Sequence, residues 1–128
     1  MATISKTIPA ASGVQNAWKM VSNIGAVDKL VDMIQSCELH DDLRICTLAD
    51  GQSIKEKIIT VDADAKRLVY TITEGPMPIE FHCASVVVNA TEHAAELTWT
   101  VDVKPDALAA PLSDMMDAVA ASMAQRLA

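Results

Sequence analysis

The stretch that decides the fold runs from Leu43 to Val103: LRICTL (43–48), SIKEKIITV (53–61), RLVYTITE (67–74), IEFHCASVVVN (79–89) and AELTWTVDV (95–103). Each segment is rich in Val, Ile, Thr and aromatic residues at alternating positions, which is the signature of a strand with one buried face. Turn chemistry separates them at Asp50-Gly51, Asp62-Ala63-Asp64, Gly75-Pro76 and Thr91-Glu92-His93, and Asp41-Asp42 precedes the first. Loops this short join antiparallel neighbours, so the five segments form a meander.

Working outward, Met33 to Leu39 continues the extended pattern upstream, and Thr3 to Ile8 reads as an opening strand, making about seven strands in all. Between these two lie helical signals. Ser12 with Gln15 three residues on forms a capping box, and Val14, Ala17, Trp18 and Val21 make one apolar face of a helix from Ser12 to about Asn23. Gly25 is expected to end it, with a second helical turn over Val27 to Val31. Downstream, Pro105-Asp106 breaks the last strand, and Pro111 suits the first turn of a terminal helix, where its missing N–H is not needed. Leu112, Met115, Met116, Val119, Met123 and Leu127 form one apolar stripe opposite Asp114, Asp117 and Gln125. The predicted class is α+β: a curved antiparallel sheet wrapped on a long C-terminal helix, with two short helices after the first strand. Such a sheet and helix tend to enclose an apolar cavity, which points to a small molecule.

Composition narrows the possibilities. A chain of 128 residues suits a single domain over 1–128. Its 51% hydrophobic and 21% charged content is that of a globular protein, while 3% aromatic is low, so Val, Ile, Leu, Ala and seven Met must fill the interior. Met adapts to irregular spaces, which is compatible with a cavity whose contents vary. A net charge of -7 without a Lys/Arg cluster argues against nucleic acid as a partner. No N-terminal apolar leader and no stretch of membrane-spanning length is present, so a cytoplasmic location is expected. Cys37, Cys46 and Cys83 are odd in number and contain no C-x-x-C pair, which fits reduced thiols. His40, His82 and His93 show no ligand spacing, and no phosphate-binding or dinucleotide fingerprint occurs, so neither a metal nor a cofactor is expected.

Several residues together resemble the START/Bet v 1-like (SRPBCC) superfamily, specifically its bacterial polyketide cyclase/dehydrase-like branch. They are Ile8-Pro9-Ala10, Val14 to Trp18, Arg44, Leu48-Ala49-Asp50-Gly51, Glu56, Asp62, Arg67, Tyr70, Glu74-Gly75-Pro76-Met77-Pro78 and Thr98-Trp99. The likeness covers nearly the whole chain and implies the helix-grip fold, with an apolar pocket between sheet and C-terminal helix that takes lipids, hormones or polyketide-like molecules. Enzymes are a minority of such proteins. The chain departs from many relatives at Leu30-Val31-Asp32, where they carry Trp, at His82, where they carry Tyr, and in a terminal helix that looks short.

Strand alternation then assigns the lining. If Ala49-Asp50-Gly51 is a three-residue hairpin loop with Gly51 left-handed, Leu48 pairs with Gln52 and Arg44 falls opposite Glu56. Carrying that register on sets Glu56 across from Ile72, Ile72 across from His82, and Tyr70 diagonal to both. Parity in 79–89 is ambiguous by hydrophobicity, because both faces are apolar; the family's aromatic position favours His82 inward. The predicted ligand-binding set is Arg44, Glu56, Ile58, Tyr70, His82, Val86, Trp99, Met115, Met116, Val119 and Met123. Plainer roles stand beside this one. Arg44 with Glu56 reads first as a structural ion pair, and His82, Tyr70 and Trp99 read first as core residues. Cys46 and Cys83 read as space-fillers.

Three functions follow from these residues. The first is binding of a small, largely apolar molecule, lipid-like or polyketide-like and aromatic. The second is a cofactor-independent cyclase, aromatase or dehydratase, in which His82 or Glu56 removes a proton beside a carbonyl while Tyr70 or Arg44 stabilises the enolate. The third is a homodimeric interaction or regulatory module using the outer face around Phe81, Cys83 and Val87, beside Val69 and Ile59.

Overall fold

A computed structural model describes residues 1–128. Its element order is β1 (Ala2–Pro9), α1 (Val14–Ser22), a 3-10 segment (Ile24–Lys29), β2 (Ile34–His40), β3 (Leu43–Leu48), β4 (Ser53–Asp62), β5 (Arg67–Glu74), β6 (Phe81–Ala90), β7 (Ala95–Lys104), a 3-10 turn (Asp106–Leu108) and α2 (Ala109–Arg126). The seven strands form one sheet in the order β1-β7-β6-β5-β4-β3-β2, and every neighbouring pair is antiparallel. Hairpins connect β2 through β7, while β1 reaches the far side of the sheet by way of the two short helices. This is the helix-grip fold.

Curvature has a local cause. The register slips between Ile34 and Ser36 in β2, and twice along β4–β5, at Lys55/Glu56 and at Ile58/Thr60. Each bulge bends its strand and adds twist, so the β2–β5 half of the sheet curls towards α2.

The helix presents the stripe foreseen from its spacing. Leu112, Met116, Met123 and Leu127 are buried, each worth about 1.5–3 kcal/mol relative to exposure. They join a core of 22 residues shared with both halves of the sheet. Polar contacts fix the helix at several points. Lys6 on β1 reaches Ser113 Oγ and Asp117 Oδ1, both at 2.8 Å. At the C-terminal end the Ser12 N–H donates to the Leu127 carbonyl (2.9 Å), the Asp32 N–H to Ser122 Oγ (2.8 Å), and Arg126 Nε to Asp32 Oδ1 (2.8 Å). That end is therefore closed.

Two local expectations are corrected. The capping box does not form: Gly13, at φ +98°, occupies the position before Val14, and Ser12 Oγ instead accepts from Asn16 Nδ2 at 2.8 Å. Gly25 does not end a helix but lies inside the 3-10 segment, which begins at Ile24, three residues before the expected second turn. On the outer sheet face Val69 is only 6% exposed, so exposed apolar surface is divided between Phe81 on β6 and Ile59 in the β4 bulge, two strands away. No helix is long and apolar enough to cross a membrane.

Candidate functional site: a lined cavity between sheet and helix

The curl leaves space between the concave face and α2, a cavity of about 370 Å³. Of its 26 lining residues, 21 are hydrophobic, so most of a bound molecule would meet apolar wall. A small recess of about 40 Å³ shares Leu48, Ile54, Ile72 and Met115 with it and runs to Gly75, Pro76 and Met77. Exposed Ala49 and Asp50, together with Met115, border one mouth of it, and exposed Asn23 borders it as well.

The β3–β4 hairpin sets the first polar group. Gly51 adopts φ +87°, and the Leu48 N–H donates to the Gln52 carbonyl at 2.8 Å, the three-residue loop anticipated from Ala49-Asp50-Gly51. Register then puts Arg44 opposite Glu56. The two side chains are 4% and 12% exposed; Glu56 Oε1 accepts from Arg44 Nε at 2.9 Å and lies 2.8 Å from Nη2. Arg44 Nη1 donates to the Ile24 carbonyl at 3.3 Å. Burial alone would lower the Arg44 pKa, but the adjacent Glu56 carboxylate outweighs it and holds the guanidinium above its usual value. The charge is kept and neutralised in place. Glu56 Oε2 takes no donor from the protein.

The second group straddles β5 and β6. Tyr70 lies under the Arg44 guanidinium, 5.3 Å from Cζ to ring centroid, within cation–π range. Its hydroxyl accepts from Trp99 Nε1 at 3.1 Å. Burial, reinforced by Glu56, pushes its pKa well up, so it stays a phenol. His82 is 4% exposed and faces inward with Ala84, Val86 and Val88. The β5–β6 ladder ends at Tyr70–Ala84. One step further, where Ile72 was expected across from His82, the Ile72 N–H donates to the imidazole Nδ1 at 3.0 Å, and the Thr71 hydroxyl donates to the His82 carbonyl. Burial drops the His82 pKa to about 4, so the ring is neutral near pH 7.

Nine of the eleven predicted lining residues border the cavity: Arg44, Glu56, Tyr70, His82, Val86, Trp99, Met115, Val119 and Met123. Ile58 and Met116 do not. Ile58, paired with Tyr70 just before the β4 bulge, and Met116, fully buried, are both packed into the core. The missed wall comes chiefly from the α1 to β2 segment: Met20, Val21, Val27, Leu30, Val31, Met33 and Ile34. Ile54 and Ile72 were legible, since both share parity with Glu56 in the predicted register.

Cys46 also lines the cavity and faces Cys37 directly across β2–β3, with sulfurs 3.9 Å apart. A two-residue turn at Asp41-Asp42 implies this pairing, but only when its register is carried back along β2. Burial raises the pKa of both thiols.

Fold and cavity together define a helix-grip protein with an internal apolar chamber. The model of the family described as polyketide cyclase / dehydrase and lipid transport matches residues 1–128, and the chain belongs to that family. Among solved structures it is similar to the protein XoxI from Bacillus cereus, at 14% identity and a TM-score of 0.87, over 99% of this chain and 93% of that one. It is similar to a START superfamily protein from Mycobacterium smegmatis, at 12% identity and a TM-score of 0.75, over 98% and 96%. It is also similar to norcoclaurine synthase from Thalictrum flavum, solved in complex with dopamine and hydroxybenzaldehyde, at 19% identity and a TM-score of 0.69, over 97% and 84%. At such identities these likenesses speak to fold alone. No curated protein matches the chain.

Proposed function

We propose that this protein binds a small, largely apolar molecule, lipid-like or polyketide-like and aromatic, in the cavity between the sheet and α2. The observation that carries this is the cavity itself: about 370 Å³, walled mainly by hydrophobic side chains, with a few polar groups converging on it. Met115, Val119 and Met123 from the helix, with Val86 and Trp99 from the sheet, supply contact area. Arg44, Glu56, Tyr70 and His82 orient the polar end.

The reading favours binding over proton abstraction. Glu56 on β4 and His82 on β6 are separated by β5, about 10 Å at one strand spacing each, and no acid/base pair is held in contact. Native mass spectrometry of protein purified from its own host tests the proposal. The expected result is a retained apolar small molecule that organic extraction releases. A chain that is always empty, and that takes up no apolar compound when offered a panel, contradicts it.

A further inference from the structure

One nitrogen of the His82 imidazole is committed and the other is free. Nδ1 accepts the Ile72 backbone N–H at 3.0 Å, so it must present its lone pair, and the ring proton resides on Nε2. The opposite tautomer would set two N–H groups against each other. Thr71, which donates to the His82 carbonyl, holds the same residue from the same strand. Nε2 has no protein partner, and no buried side-chain nitrogen in the protein goes unsatisfied, so this N–H opens on the cavity that His82 lines.

A second donor stands beside it. Tyr70 and His82 have ring centroids 6.0 Å apart. The Tyr70 oxygen accepts from Trp99, which uses a lone pair and leaves the phenolic proton unspent. On the strand beside Tyr70, Glu56 Oε1 takes the Arg44 Nε–H at 2.9 Å and lies 2.8 Å from Nη2, leaving Oε2 as an acceptor. The guanidinium is already neutralised, and exposed Asp50 at the mouth together with the net charge of -7 disfavours an anion.

We infer that the cavity selects an uncharged, largely apolar carbonyl compound, a ketone or quinone, whose oxygen accepts from His82 Nε2–H and the Tyr70 hydroxyl. A hydroxyl on the same polar end of the molecule would donate to Glu56 Oε2. His82 in this role gives a hydrogen bond and takes no proton, which sets it apart from the general base considered from the sequence. The inference rests on the small-molecule reading of the cavity, and its test separates the two.

The test titrates the full chain with two fluorescent probes, 6-propionyl-2-dimethylaminonaphthalene and its 6-propyl analogue, in which a methylene replaces the carbonyl. The ketone is expected to bind about tenfold more tightly, the effect of one or two buried hydrogen bonds. His82→Asn keeps an amide oxygen for the Ile72 N–H but has no donor at the Nε2 position, and is expected to weaken that preference, with the Tyr70 hydroxyl as the remaining donor, while still binding both probes. Independently, 15N NMR of the unliganded wild type is expected to show His82 protonated on Nε2 alone. Equal affinity for the two probes, or a preference undiminished in His82→Asn, overturns the inference and leaves the cavity reading standing. Failure of both probes to bind overturns both readings. A proton found on Nδ1 overturns the inference whatever binds, so a variant that fails to fold does not decide the outcome.

Discussion

Arg44 and Glu56 stand directly opposite each other on β3 and β4, and their charges meet at 2.8 Å with both side chains almost wholly out of solvent. A buried ion pair of this kind costs a great deal to desolvate and is recovered only while both members are present. Arg44→Ala or Glu56→Ala, each stranding one charge, is expected to destabilise the protein by about 3–5 kcal/mol. The double variant Arg44→Met/Glu56→Leu is expected to cost less than either. Urea unfolding of the three proteins checks this, and additive losses would contradict it.

Stability should depend on pH through His82. Its pKa is depressed to about 4 in the folded state, against 6.5 as the ordinary value, so between these limits the unfolded chain binds the extra proton. The contribution is complete above about pH 6.5 and is lost as pH falls towards about 4, amounting to at most about 3 kcal/mol. Denaturant midpoints measured across this window should fall more steeply for the wild type than for His82→Asn. Parallel curves would contradict the assignment.

Tyr70→Phe removes the acceptor for the Trp99 indole N–H. The expected cost is about 1–3 kcal/mol for a donor left unpaired inside the protein, with a shift in Trp99 emission. A neutral substitution with unchanged emission would mean that the bond is not formed.

Burial raises the pKa of Cys46 and Cys37, so neither is a ready thiolate at neutral pH. Cys46, 1% exposed, is expected to resist iodoacetamide in the native protein and to react once the chain is unfolded, as read by peptide mass mapping. Rapid native labelling of Cys46 would contradict the closed packing around β2 and β3.

Register was legible wherever turn chemistry anchors it. Gly51 is the sort of residue that a left-handed loop position demands, and from it Arg44 opposite Glu56 follows by counting. Counting also brings Ile72 beside His82 but does not give the form of their contact, in which the His82 ring and not its backbone takes the Ile72 N–H. It fails at bulges, which alter face assignment without a sequence signal as strong as a Gly. The wall built by Leu30, Val31 and Met33 was hidden for another reason. A 3-10 segment and the chain leaving it have no long period to read, so burial there is decided by tertiary packing against α2 and β2.

The central claim is that the chamber between sheet and α2 accepts a small apolar molecule, and titration with the uncharged fluorophore N-phenyl-1-naphthylamine tests it most directly. Val119 borders the chamber from α2, and Val119→Trp would fill part of it. The account predicts saturable binding of one probe per chain to the wild type, and loss of that binding in a Val119→Trp variant that still unfolds cooperatively. No saturable binding to the wild type, or undiminished binding to the filled variant, would contradict it.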